Sequence, residues 1–138
     1  MKYLTLALVL VGACASALAA DPVEEIAKRS GLPASEVTAT LADCEANQTS
    51  MNFCAWRDQI VSEQKLELAV AAKAGSSAAC EKALKKKIAV WKKRRDAECS
   101  RSASRQWGGG SMLPTAAATC KTAETDRMRE TIAATECK

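Results

Sequence analysis

Six cysteines, Cys44, Cys54, Cys80, Cys99, Cys120 and Cys137, constrain this chain more than any other feature. In an oxidising compartment they must pair, and each pair ties two distant backbone points to within a few ångströms. The first nineteen residues point to such a compartment. "MKYLTLALVLVGACASALA" sets a lysine before an apolar run and ends in small residues, which is the layout of a secretory signal peptide. The run is too short to span a bilayer. Two cleavage sites compete. Ala17-Leu18-Ala19 would release a soluble chain from Ala20, whereas Val11-Gly12-Ala13-Cys14 would give a lipidated cysteine. The short apolar run before Cys14 favours the soluble product. The expected location is periplasmic or secreted, with a membrane-anchored lipoprotein as the alternative.

An even number of cysteines in a mature chain of about 119 residues implies disulfides. A zinc site is disfavoured, because there is no histidine and no CxxC pair. No metal or cofactor is therefore expected. One Phe, one Tyr and three Trp leave few large core fillers, so cross-links, each typically worth about 2 to 4 kcal/mol, would supplement a thin core.

Ala, Leu, Lys, Arg and Glu dominate, glycine and proline fall between segments, and alternating strand patterns are absent, so the fold class is all-α. Residues 20–43 read as an N-terminal helical pair. Asp21 caps the first helix, with Pro22 at its first position and Glu24 reaching back. Gly31 ends it, and Pro33 with Glu36 opens a second helix to about Asp43. The pair superficially resembles a helix-turn-helix, but it carries more acid than base and an exported protein meets no genome. Residues 44–138 form the main helical domain. A third helix is expected from Cys54 to about Lys73, with an apolar face of Ile60, Val61, Leu68 and Ala72. Gly75-Ser76-Ser77 breaks it. A fourth runs from about Ala79 to Arg105, and after the loop "QWGGGSMLP" a fifth spans roughly Thr115 to Glu136.

"KKKIAVWKKRRDAEC", residues 85–99, looks at first like a cationic binding motif. On a helical wheel Cys80, Leu84, Ile88, Trp91, Arg95 and Cys99 share one face, at spacings of four, four, three, four and four. Lys82, Lys85, Lys86, Lys92 and Lys93 lie opposite, and Lys87 and Arg94 flank the stripe. The cysteine spacing supports an antiparallel hairpin. Cys80 to Cys99 is nineteen residues and Cys120 to Cys137 is seventeen, as nested bridges across two helices require. The expected pairs are Cys99–Cys120 near the loop and Cys80–Cys137 at the far end, about 25 to 28 Å away by helical rise. Cys44 and Cys54 then close a short local loop. Cys137 falls roughly 100° from the face of Cys120 on an ideal helix, so the second bridge needs an unwound C-terminus.

"ADCEANQTSMNFCAWRD", "WKKRRDAEC", "GGSM" with Pro114, and Cys120 followed by Thr125 resemble the LprI-like lysozyme-inhibitor family, over roughly residues 42 to 130. The most specific stretch is Trp91-x3-Arg95-Asp96-x2-Cys99 with Gly109-Gly110-Ser111. The chain departs from the family in carrying Arg94 in place of an aromatic and Leu66-Glu67-x2-Val70 in place of Leu-Asn-x2-Tyr. The arginine expected after Thr125 is displaced, with Arg127 or Arg129 as candidates. The resemblance implies an exported helical bacterial domain in which the cysteines, Trp91, Arg95 and Asp96 are structural. Arg95 should lie beside the Trp91 ring and reach a carboxylate, Glu124 being the first candidate, since a buried guanidinium must be paired.

Catalysis is disfavoured, because without histidine or free thiols only solvated acids such as Asp96 and Glu98 remain. Charge is unevenly spread. Residues 21–70 hold nine acids and four bases, residues 71–106 three acids and eleven bases, and residues 107–138 four of each. A basic lysozyme would therefore be steered to the acidic N-terminal half. Trp107, Gly108, Gly109, Gly110, Ser111 and Met112 are the candidate partner-binding loop, against the plainer role of a glycine turn with Trp107 folded onto the helices. The lysine face is expected to be solvated, with anionic polymers or lipid head groups as a second use. The sequence thus suggests a monomeric protein-binding domain directed at a lysozyme-type hydrolase. The alternative is a non-inhibitory envelope protein, binding anionic polymer or serving as the immunity partner of a toxin.

Overall fold

The computed structural model describes residues 20–137. The leader and Cys14 lie outside the described residues. Five helices follow in order: α1 Pro22–Ser30, α2 Ala34–Leu41, α3 Gln48–Ala74, α4 Ala78–Trp107 and α5 Leu113–Ala134. Among the described residues there is no strand, and no helix is long and apolar enough to cross a membrane.

Local chemistry sets most of the boundaries. Asp21 Oδ1 accepts from the Val23 N–H at 2.8 Å with Pro22 in the first turn, and Gly31 closes α1 in the left-handed region at φ 75°. Among the described residues Glu24 makes no bond back to the cap, and its neighbour Glu25 pairs with Arg29 at 2.7 Å. Helix α3 starts six residues earlier than Cys54, because Asn47 caps it by accepting from Ser50 N–H at 3.0 Å. Gly75 at φ 55° ends α3, and Ser77 then caps α4 through Cys80 N–H at 3.2 Å.

The core has two parts joined by α3. Ile26 of α1, Val37 of α2 and Ile60 of α3 form one, closed by the half-buried Phe53 and Trp56. Leu66 and Val70 of α3, Leu84 of α4 and Ile132 of α5 form the other, with Ile88, Trp91 and Met128 packed against them. Among the described residues α1 and α2 touch each other and α3 but not the C-terminal helices. Serving two clusters displaces the expected face of α3. Ile60 is buried and Val61 half-buried, but Leu68 is 51 % exposed and Ala72 is exposed. The buried stripe instead runs Glu63, Leu66, Val70, Ala74.

All three expected bridges are present. Cys44–Cys54, Cys80–Cys137 and Cys99–Cys120 have Cα separations of 5.8, 5.7 and 5.6 Å. Helices α4 and α5 form the C-terminal hairpin, although α5 makes its broadest contact with α3. The C-terminus is unwound as the second bridge demands. Helix α5 stops at Ala134, Thr135 is extended at ψ 138°, and the freed end brings Cys137 to Cys80.

Candidate functional site

The inward stripe of α4 delivers a cation to the middle of the bundle. Arg95 is 2 % exposed, and its guanidinium lies 5.2 Å from the centroid of the Trp91 ring. Its Nη2 donates to Glu63 Oε1 at 2.8 Å and to Asp96 Oδ1 at 2.7 Å, its Nε donates to the same Asp96 oxygen at 2.9 Å, and its Nη1 donates to Thr125 Oγ1 at 2.6 Å. The Thr125 hydroxyl donates onward to Lys121 O at 2.6 Å, so a single side chain ties α3, α4 and α5 together.

The carboxylate that meets Arg95 from another helix is Glu63, not the expected Glu124. Glu124 does not reach Arg95. It turns to Arg127 one helical turn along α5, where both are accessible to solvent. Glu63 also receives Lys92 Nζ at 2.8 Å and Gln59 Nε2 at 3.0 Å. Burial pushes its carboxyl up, but the bond from Lys92, the bond from Gln59, the Lys92 charge and the bond from Arg95 together hold it below its ordinary value. Lys92 therefore leaves the solvated lysine face and joins this cluster. Of the two displaced arginines, Arg127 pairs with Glu124, while Arg129 lies 3.7 Å from Asp126 with its Nε buried and unpartnered.

A groove of about 650 Å³ opens beside the cluster. Arg95, Glu63, Asp96 and Lys92 contribute to its lining, together with Phe53, Trp56, Asn52 and Gln59 of α3, Arg29 of α1 and the small Pro114, Ala117 and Ala118 of α5 with Lys121. One signal could have located its acidic partner. Glu63 falls in register with Leu66, Val70 and Ala74 at spacings of three, four and four, so an acid sits within a core stripe.

The glycine turn lies beyond the Cys99–Cys120 bridge. Trp107 is the last residue of α4 and is 43 % exposed, and Gly108 turns the chain at φ 59°. Gly110 N–H donates to Trp107 O at 3.2 Å and Leu113 N–H to Gly110 O at 3.0 Å. Gly109 and Ser111 are exposed and Met112 is half-buried. Trp107 is thus partly covered and partly open to solvent. Eight residues separate Cys99 from Trp107, which places the turn about 12 Å past the bridge. On the outer face of α4, Lys82, Lys85, Lys86, Lys87, Lys93 and Arg94 are exposed, and Lys85 pairs with Glu81.

Compared with known families, residues 42–131 match the family described as Lysozyme inhibitor LprI. Comparisons with curated proteins and with solved structures gave no match.

Proposed function

Since the chain belongs to the LprI lysozyme-inhibitor family, we propose that it binds and inhibits a lysozyme or another peptidoglycan-degrading enzyme outside the cytoplasm. The observation that carries this reading is the half-exposed Trp107 at the tip of a helical hairpin cross-linked behind it by Cys99–Cys120. A cleft-binding element needs an aromatic anchor, a backbone able to enter a narrow site and little entropy left to lose on docking. Trp107, Gly108 to Gly110, and the bridge supply these in turn. Ser111 adds an exposed hydroxyl in the same turn. The family is one of inhibitors, which agrees with a binding role and no catalysis. The family membership supports action outside the cytoplasm.

The test is lysis of cell walls by several lysozyme types, followed by turbidity, with the purified oxidised protein added. Inhibition is expected near stoichiometric ratios, and Trp107→Ala should weaken it at least about tenfold, the scale of losing an interface anchor. Full lysis by every enzyme at large molar excess of the protein would reject the reading. A second use is favoured by one observation: among the described residues Lys82, Lys86, Lys87, Lys93 and Arg94 form no ion pair. Such a face can hold anionic polymer, and binding that is unchanged by raised salt would exclude it.

A further inference from the structure

We propose that the groove between α3 and the first turns of α5 is a binding site for a carboxylated amino sugar, separate from the Trp107 turn. The groove volume of about 650 Å³ lies within the roughly 300 to 1,000 Å³ over which proteins hold small ligands. What matters is the combination of groups that line it.

One wall is aromatic. Phe53 and Trp56 meet edge to face, 6.0 Å between centroids at 73°, and both are packed against the Ile26, Val37 and Ile60 cluster. The indole is therefore held in place while still lining the groove, as a platform for the apolar face of a pyranose ring. Pro114, Ala117 and Ala118 also line the groove, and all three side chains are short.

Two side-chain amides supply opposite hydrogen-bonding senses. Gln59 donates through Nε2 to Glu63, which leaves its carbonyl oxygen as an acceptor. Asn52 Oδ1 already accepts from Gln48 Nε2 at 3.0 Å and from Thr115 Oγ1 at 2.5 Å, which leaves its NH₂ as a donor. A sugar hydroxyl or an N-acetyl group needs both senses.

Charge selects for an acid. Four cations, Arg29, Lys92, Arg95 and Lys121, line the groove against two carboxylates, Glu63 and Asp96. Arg95 and Lys92 are consumed by those carboxylates, and Arg29 by Glu25. Lys121 forms no ion pair among the described residues and is the cation left for a ligand carboxylate. Because the floor is fixed by Arg95 and its three partners, the groove loses little freedom on binding. A simple anion would leave the aromatic wall and the amides unused, and a flat membrane would meet the outer lysines of α4 before this recess.

The probe pair is N-acetylmuramic acid and N-acetylglucosamine, which differ by a lactyl carboxylate. Titration into the oxidised protein, followed by NMR of the tryptophan indole N–H groups, should show saturable shifts at Trp56 with the muramic acid and little change at Trp107. N-acetylglucosamine should bind about tenfold or more weakly, the scale of one charge-assisted hydrogen bond. Lys121→Ala should reduce the acidic sugar to the level of the neutral one, while Lys93→Ala leaves it unchanged and circular dichroism shows both variants folded. Equal affinity for the two sugars, no saturable binding, shifts confined to Trp107, or full affinity in Lys121→Ala would each overturn the proposal. No lysozyme is present in this titration, so its failure would leave the inhibitor reading standing, and a failed lysis assay would leave this site standing.

Discussion

Arg95 is a cation enclosed by three helices, and its removal leaves the buried Glu63 carboxylate and the Thr125 hydroxyl facing a void, while Asp96 stays open to solvent. Arg95→Ala should therefore cost about 3 to 5 kcal/mol in urea unfolding, the range for breaking a buried ion pair from one side. Arg95→Lys should not restore it, because an ammonium cannot serve Glu63, Asp96 and Thr125 in the planar geometry of the guanidinium. Lys93→Ala, two residues away on the exposed face, should stay within about 0.5 kcal/mol of the parent. Glu63 adds a pH dependence whose sign follows from its lowered pKa. The stabilisation is complete above the ordinary value of 4.5 and is lost as pH falls through the lower folded value. Glu63→Gln should be less stable near neutrality and flatter on the acid side, measured as the urea midpoint by circular dichroism at a series of pH values. An unchanged acid limb would count against this assignment. The two partners differed in how visible they were. Arg95 showed itself because it interrupts an apolar stripe ending at a cysteine. Glu63 did not, because the expected apolar face of α3, Ile60, Val61, Leu68 and Ala72, turns away from it, and ion pairing across helices has no spacing rule along one chain.

At the scale of elements, the hairpin of α4 and α5 was legible because cysteines report distances that propensity cannot. Nested spacings of nineteen and seventeen residues admit one antiparallel pairing, and even the unwound end at Thr135 follows from the angular misfit of Cys137. Helix α3 was harder to read. Its 27 residues serve one cluster with their N-terminal half and another with their C-terminal half, so no single stripe runs its length. Its early start depended on Asn47, a cap standing in a segment whose cysteines suggested a loop. The bridges also differ in what they hold. Cys80–Cys137 closes 57 residues and Cys44–Cys54 only 10. In the chain-entropy account these are worth about 4 and about 3 kcal/mol. Replacing both cysteines of the longer bridge by serine should lower thermal stability more than replacing both of the shorter one. Hydrogen exchange should also quicken around Met128 and Ile132, where α5 loses its tether beside the core. Equal melting shifts with unchanged exchange there would show that packing alone holds the C-terminal turn.

For the whole molecule, the separation of charge is maintained by the fold as well as by the sequence. Residues 20–47 hold six acids and two bases, with Glu24, Glu36, Asp43 and Glu45 exposed; their helices α1 and α2 contact each other and α3, whereas the lysines of α4 lie on a helix they never touch. The small net charge of the chain therefore hides a dipole large enough to orient it toward a charged partner. If the partner is a basic lysozyme, the acidic end leads the encounter and the Trp107 turn must engage afterwards, so steering and anchoring fall on different parts of the molecule. Steering acts on association and anchoring on dissociation. The association rate should fall several-fold as salt is raised from about 0.01 to about 0.15 M, over which the screening length shrinks from roughly 30 to roughly 8 Å. Reversing charge with Glu36→Lys and Glu45→Lys should slow association at low salt and leave dissociation unchanged. Trp107→Ala should do the opposite, speeding dissociation at every salt concentration. Surface plasmon resonance on an immobilised lysozyme separates the two rates directly. An association rate that ignores both salt and charge reversal would exclude the acidic end from the encounter, and the exposed aromatic turn would then have to supply recognition as well as grip.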